Sequence, residues 1–232
     1  MAKVISFGHR CSSASILQHL QLKTESYPFD WLISKLDVIQ DCIETKFVHF
    51  LNTSHYEQTQ TETYNQIDDV KTHICNESIQ VNQYYEKDPE NRSTYQFKLA
   101  MNHQNVFHDY EYYQRCIDRL YHLFESDIRK YSLYFHPIMG IQEYEMKVET
   151  LLQEFDSFNQ YILGKTQNIV GIYFILVRSN QPINGIRLKE TSTSHVFVVF
   201  CNEAFLDGGA PFMGNFSTEL HSIFSLLSPL LV

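Results

Sequence analysis

Cys11 is the side chain best placed by the sequence to act as a nucleophile. It stands just beyond Gly8, His9 and Arg10, where a short predicted strand at 3–7 gives way to a helix predicted over 12–20. A thiol at a helix N-terminus faces unpaired backbone N–H groups and the positive end of the helix dipole, and both favour the thiolate. His9 and Arg10 add positive character. A strand–turn–helix junction also exposes a nucleophile while leaving N–H groups free for an oxyanion, which is what acyl transfer needs. The same position suits a small residue that packs the first turn. The other four thiols carry less. Cys42 and Cys116 fall on apolar helical stripes, Cys75 lies in a polar stretch, and Cys201 ends a predicted strand.

A thiolate mechanism needs a base, and two histidines compete for that role. His108 precedes Asp109 in a loop before a predicted helix. His195 opens the predicted strand at 195–201, with Asn202 and Asp207 just beyond it. No metal site is expected, because His103 and His108 lie five apart and His49 and His55 six apart, not at the i, i+4 spacing of a zinc helix. No cofactor is expected either, since Gly-x-Gly-x-x-Gly and Walker-type loops are absent.

Three blocks then resemble a known family. Ser-Phe-Gly-His-Arg-Cys-Ser-Ser-Ala at 6–14, Ser-Tyr-Pro-Phe-Asp-Trp-Leu-Ile-Ser at 26–34 and Val-Phe-His-Asp-Tyr at 106–110 look like the opening of a family described as papain-like cysteine peptidases, found in bacteria and large DNA viruses. The resemblance covers about residues 4–135. It implies Cys11 as nucleophile, His108 as base, and Asp109 or Asp30 as the acid that orients the imidazole. A papain-like architecture also implies a rival, His195 with Asn202 or Asp207. Each has a plainer reading: Asp30 as a turn residue capping the following helix, Asp109 as an organiser of backbone, His195 as a partly buried strand residue.

Composition narrows the partners. The chain has 232 residues, 44% apolar and 14% aromatic, enough for a sizeable core. With 18 Lys and Arg against 27 Asp and Glu, its net charge of −9 disfavours both nucleic acid and an anionic membrane surface. The N-terminus lacks a basic segment followed by a long apolar run, so no targeting signal is expected. Five cysteines, an odd number with no Cys-x-x-Cys, argue for reduced thiols and a cytoplasmic location.

The elements that must position these residues alternate. After the first strand and helix, apolar spacing predicts one helix from 33 to 51, another at 110–125 and a long one at 143–163. Strands are predicted at 131–135, 169–177 and 195–201, and the apolar tail at 223–232 reads as a docking helix. Residues 52–106, rich in Thr, Gln, Asn and Tyr, read as a polar insertion of short irregular pieces. The expected fold is α/β: one three-layer domain over 1–232, its sheet mostly parallel and closed by a hairpin-like pair near the C-terminus. The alternative is an α+β papain-like arrangement. In a parallel sheet, ligands gather at the carboxyl ends of the strands. Cys11 and His108 are therefore expected to share that rim, and His195, at the start of its strand, to lie away from it.

The functional expectation is a thiol-dependent acyl-bond hydrolase or acyltransferase of peptidase, amidase or thioesterase type. Its substrate would be an acyl, peptide or amide compound, free or carrier-bound, and Tyr84, Tyr85, Tyr110, Tyr112 and Tyr113 could line its pocket. The alternative is a non-catalytic binding or regulatory module on the same scaffold.

Overall fold

A computed structural model describes residues 2–8, 11–30, 32–67, 70–85, 98–99, 109–138, 140–179, 185–201 and 217–231. Its centre is a five-stranded sheet in the order β1 (Lys3–Ser6), β6 (Lys130–Ile138), β7 (Ile169–Arg178), β9 (Ser194–Cys201), β8 (Ile186–Glu190). The first four strands are mutually parallel, and only the edge strand β8 runs against its neighbour. This is the mostly parallel α/β sheet expected, with β8–β9 as its closing antiparallel pair. β7 and β9 are buried along nearly their whole length, as strands covered on both faces must be.

Alternate residues feed two cores. Val4, Leu133, Ile172 and Phe197 face α1 (Cys11–His19) and the C-terminal helix α6 (Ser217–Leu227), which contribute Ile16, Leu17, Ile223 and Leu227. Ile5, Tyr134, Tyr173 and Val196 face the other way, toward α2 (Leu36–Glu44), α3 (Val48–Leu51), α4 (Tyr110–Glu125) and α5 (Ile141–Leu163). On α4 the expected stripe is the buried one: Tyr113, Cys116, Ile117, Leu120 and Phe124.

Two regions differ from the sequence expectation. The helix expected from 33 to 51 is instead a two-residue strand, β2 (Leu32–Ile33), followed by α2 and α3. The break falls at Lys46 and Phe47, which take left-handed φ values of 51° and 60°. Phe47 is fully buried against Phe29, Phe50 and Tyr121, so ring burial offsets a backbone conformation costing about 1–3 kcal/mol. The supposed irregular insertion contains a long hairpin, β3 (Tyr56–Ile67) and β4 (Val70–Asn82), paired from Tyr56↔Asn82 to Ile67↔Val70. With β2 and β5 (Lys98–Leu99) it forms a second, four-stranded sheet in the order β2-β5-β4-β3.

One asymmetry positions the site. β1 pairs only with the first residues of β6, from Lys3↔Lys130 to Ser6↔Leu133. Beyond it, the Phe135 N–H still reaches the Gly8 carbonyl at 3.5 Å. Two residues on, Pro137 would offer its N–H toward the same side, where β1 has ended, so proline forfeits no ladder bond there. The upper half of β6 therefore borders a notch, and the turn from β1 into α1 begins beside it.

Candidate functional site

The turn after β1 is closely held. Gly8 has φ +82°, and a Cβ there would stand 2.8 Å from the Phe29 carbonyl oxygen and 3.0 Å from Ser34 Oγ. Its N–H donates to Ser6 Oγ at 3.3 Å, and Ser13 Oγ donates back to its carbonyl at 2.9 Å. The serine hydroxyl thus ties the first turn of α1 to the strand end. Cys11 is the first residue of α1. The description of Cys11 stops at its backbone, and His9 and Arg10 lie outside the described residues.

The second sequence block packs directly on the first. Phe7 meets Phe29 at 6.1 Å between ring centroids, and Ser34 Oγ donates to the Phe7 carbonyl at 3.4 Å. Asp30 keeps this turn closed: it is 1% exposed, pairs with the Lys23 ammonium, and accepts the Tyr27 N–H at 3.0 Å. Burial pushes the Asp30 carboxyl up, while Lys23 draws it down. Lys23 also donates to the Glu25 carbonyl and Ser26 Oγ. These are the contacts of a clamp that holds Phe29 and Ser34 against Gly8.

The remaining predicted residues are placed as follows. Asp109 stands immediately before α4, where its carbonyl accepts the Tyr113 N–H at 3.1 Å and its side chain makes no cap bond. His108, Asn202 and Asp207 lie outside the described residues, as does Trp31. His195 is 9% exposed in β9, its Nδ1 3.5 Å from Glu190 Oε1, and burial pushes its pKa down. Because β9 runs parallel to β1, His195 opens its strand at the amino end. The register Ser6↔Leu133↔Ile172↔His195 nevertheless sets it level with the end of the short β1. Three strand spacings, roughly 14 Å, separate the two backbones. Width of sheet, more than opposite ends, sets His195 apart from the junction.

The structure adds a residue the sequence reading passed over. His136 lies near the carboxyl end of β6 and lines a cleft of about 480 Å³ between α2 and α5. Burial and the positive charges of Lys147 and Lys35 push its pKa down to about 4, so it is neutral at pH 7. Its signal was a polar residue closing an apolar strand at the carboxyl rim, in Tyr-Phe-His-Pro, where the predicted strand was ended at Phe135. The cleft adjoins the junction through Ser34, whose carbonyl accepts from Tyr134 Oη at 3.5 Å and which precedes the lining residue Lys35. Among the expected pocket tyrosines, Tyr85 and Tyr113 are buried in the core and Tyr84 and Tyr110 are exposed. His49 and His55 stack with Tyr84 at 3.6 and 5.6 Å.

A mostly parallel sheet with helices on both faces, and a cysteine opening the helix after its first strand, defines an α/β protein. The chain belongs to the family described as "Putative papain-like cysteine peptidase (DUF1796)", whose profile matches residues 2–175. That description points to a cysteine-dependent hydrolase. No curated protein and no solved structure matches the chain. Among the described residues, no helix is long and apolar enough to cross a membrane.

Proposed function

We propose that the protein is a thiol-dependent enzyme of acyl bonds, a hydrolase or acyltransferase, in which Cys11 is the nucleophile. The observation that carries this reading is the placement of Cys11 as the first residue of α1, just beyond the carboxyl end of the parallel strand β1. The helix N-terminus favours its thiolate, and the first N–H groups of α1 can receive the oxyanion of a tetrahedral intermediate. His108 is the proposed base, holding the thiolate as an ion pair and then protonating the leaving group. Asp109, immediately before α4, or Asp30 is the proposed acid partner of that imidazole, and Asp30 also holds the turn that braces Gly8. The acyl, peptide or amide substrate enters from the cleft side.

Burial supports the choice of thiol. Cys42, Cys116 and Cys201 are buried, and desolvation raises the pKa of each, so all three should be inert at neutral pH. The test is iodoacetamide labelling across pH in a Cys75→Ser background. Cys11 should react first and well below the ordinary thiol pKa of about 8.5. Cys11→Ala should abolish labelling, His108→Ala should return the midpoint to about 8.5, and His195→Ala should leave it unchanged. A Cys11 midpoint already at the ordinary value in the parent protein overturns the reading and leaves a binding module.

A further inference from the structure

The cleft between α2 and α5 has a lining that points to its own ligand. Its floor is apolar: Leu36, Leu151, Phe158 and the ring of Tyr134, all buried. Its mouth carries both signs of charge. Lys35 and Asp37 come from the start of α2, Lys147 and Glu154 from one side of α5. These groups act on one another across the opening. Burial and Asp37 push the Glu154 carboxyl up while Lys35 and Lys147 pull it down, and the same two lysines act on His136. Glu143, which pairs with Lys147 at 2.6 Å, is the remaining charge that acts on His136. The charges of Lys35, just before α2, and Lys147, on α5, therefore bear on the same carboxyl and the same imidazole.

We propose that this cleft binds a zwitterionic α-amino acid with an apolar side chain. The carboxylate lies toward Lys35 and Lys147, the ammonium toward Asp37 and Glu154, and the side chain on the Leu36–Leu151–Phe158 floor. An apolar floor alone would take any hydrophobe, and a purely cationic rim would take any anion. With both signs at one mouth, a ligand of single charge desolvates the opposing pair without replacing its water, so the ligand carrying both charges wins. A volume of about 480 Å³ falls at the small end of ligand pockets, which suits a compact ligand. His136, neutral at pH 7, can add a hydrogen bond without upsetting the charge balance. The ligand class rests on the cleft alone; only its use as a reactant at Cys11 rests on the thiol reading.

The experiment is calorimetric titration of the full chain, and of Cys11→Ala, with leucine, N-acetyl-leucine, leucine amide and N-acetyl-leucine amide. Leucine should bind, and removal of either charge should weaken binding at least tenfold. In Lys35→Met/Lys147→Met the affinity for leucine and N-acetyl-leucine should fall while that for leucine amide holds. In Asp37→Asn/Glu154→Gln leucine and leucine amide should weaken and N-acetyl-leucine hold. All four substituted side chains are exposed, so these variants should fold. No binding at millimolar leucine, tighter binding of a singly charged ligand, or affinities indifferent to the four substitutions overturns the proposal. Unchanged leucine binding in Cys11→Ala, alongside failed thiol labelling, would remove the thiol reading and leave the amino-acid site standing.

Discussion

His136 sits between the rings of Tyr134 and Phe155, at 6.2 and 6.5 Å, with Lys35 and Lys147 adding their charge. Its pKa is about 4 in the folded chain and close to 6.5 when unfolded. Above pH 6.5 both states are neutral and nothing is lost. As pH falls from 6.5 to 4, the unfolded chain takes up a proton that the folded chain refuses, so stability declines through that window and levels off below it. We expect His136 to account for about 2 kcal/mol of the stability lost between pH 7 and pH 4.5. Urea unfolding at the two pH values should show a smaller loss in His136→Gln than in the parent chain. Equal losses in the two proteins would mean the imidazole is not held neutral.

At the scale of elements, the β1–α1 junction depends on one residue without a side chain. Gly8→Ala places a methyl 2.8 Å from the Phe29 carbonyl oxygen at φ +82°, and should cost about 2 kcal/mol in urea unfolding. The shift should move the start of α1 and slow Cys11 alkylation; an alkylation rate equal to the parent's would show that the junction does not set the thiol's environment. This junction was legible in the sequence, because Gly8 separates an apolar strand from a serine-rich helix start. So were α4, α5, β7 and β9, where apolar periodicity and β-branched density agree with burial. The break at Phe47 was not, since apolar spacing runs on through it and only the ring's cage of Phe29, Phe50 and Tyr121 explains the left-handed backbone. Nor was the β3–β4 hairpin, whose Thr, Gln and Glu residues lack the alternation that marks a half-buried strand. Of the candidate site, the position of Cys11 at the opening of α1 and the tight turn around Asp30 were legible. The cleft was not, because Lys35, His136, Lys147 and Glu154 are brought together only by the packing of α2 and α5 over β6.

Across the whole molecule, the strands of the central sheet differ greatly in how far apart they lie along the chain. Lys130 of β6 pairs with Ile169 of β7, and Gly171 of β7 pairs with Ser194 of β9, so these neighbours meet across modest stretches of chain. β1 must wait for a partner far away, since Lys3 pairs with Lys130. Loop closure becomes costlier with length, and a four-residue strand returns little for it. During refolding, pulsed hydrogen exchange should find the amides of β7 protected in an earlier phase than the Lys3 amide of β1 and the Phe7 amide just beyond it; protection in a single phase would refute this order. The shortness of β1, which opens the notch beside β6, thus bears on time as well as on shape. The scaffold of β6, β7 and β9 can assemble before the chain's first residues arrive, and Cys11 enters its setting only when β1 docks, so any chemistry there is switched on by the last step of folding.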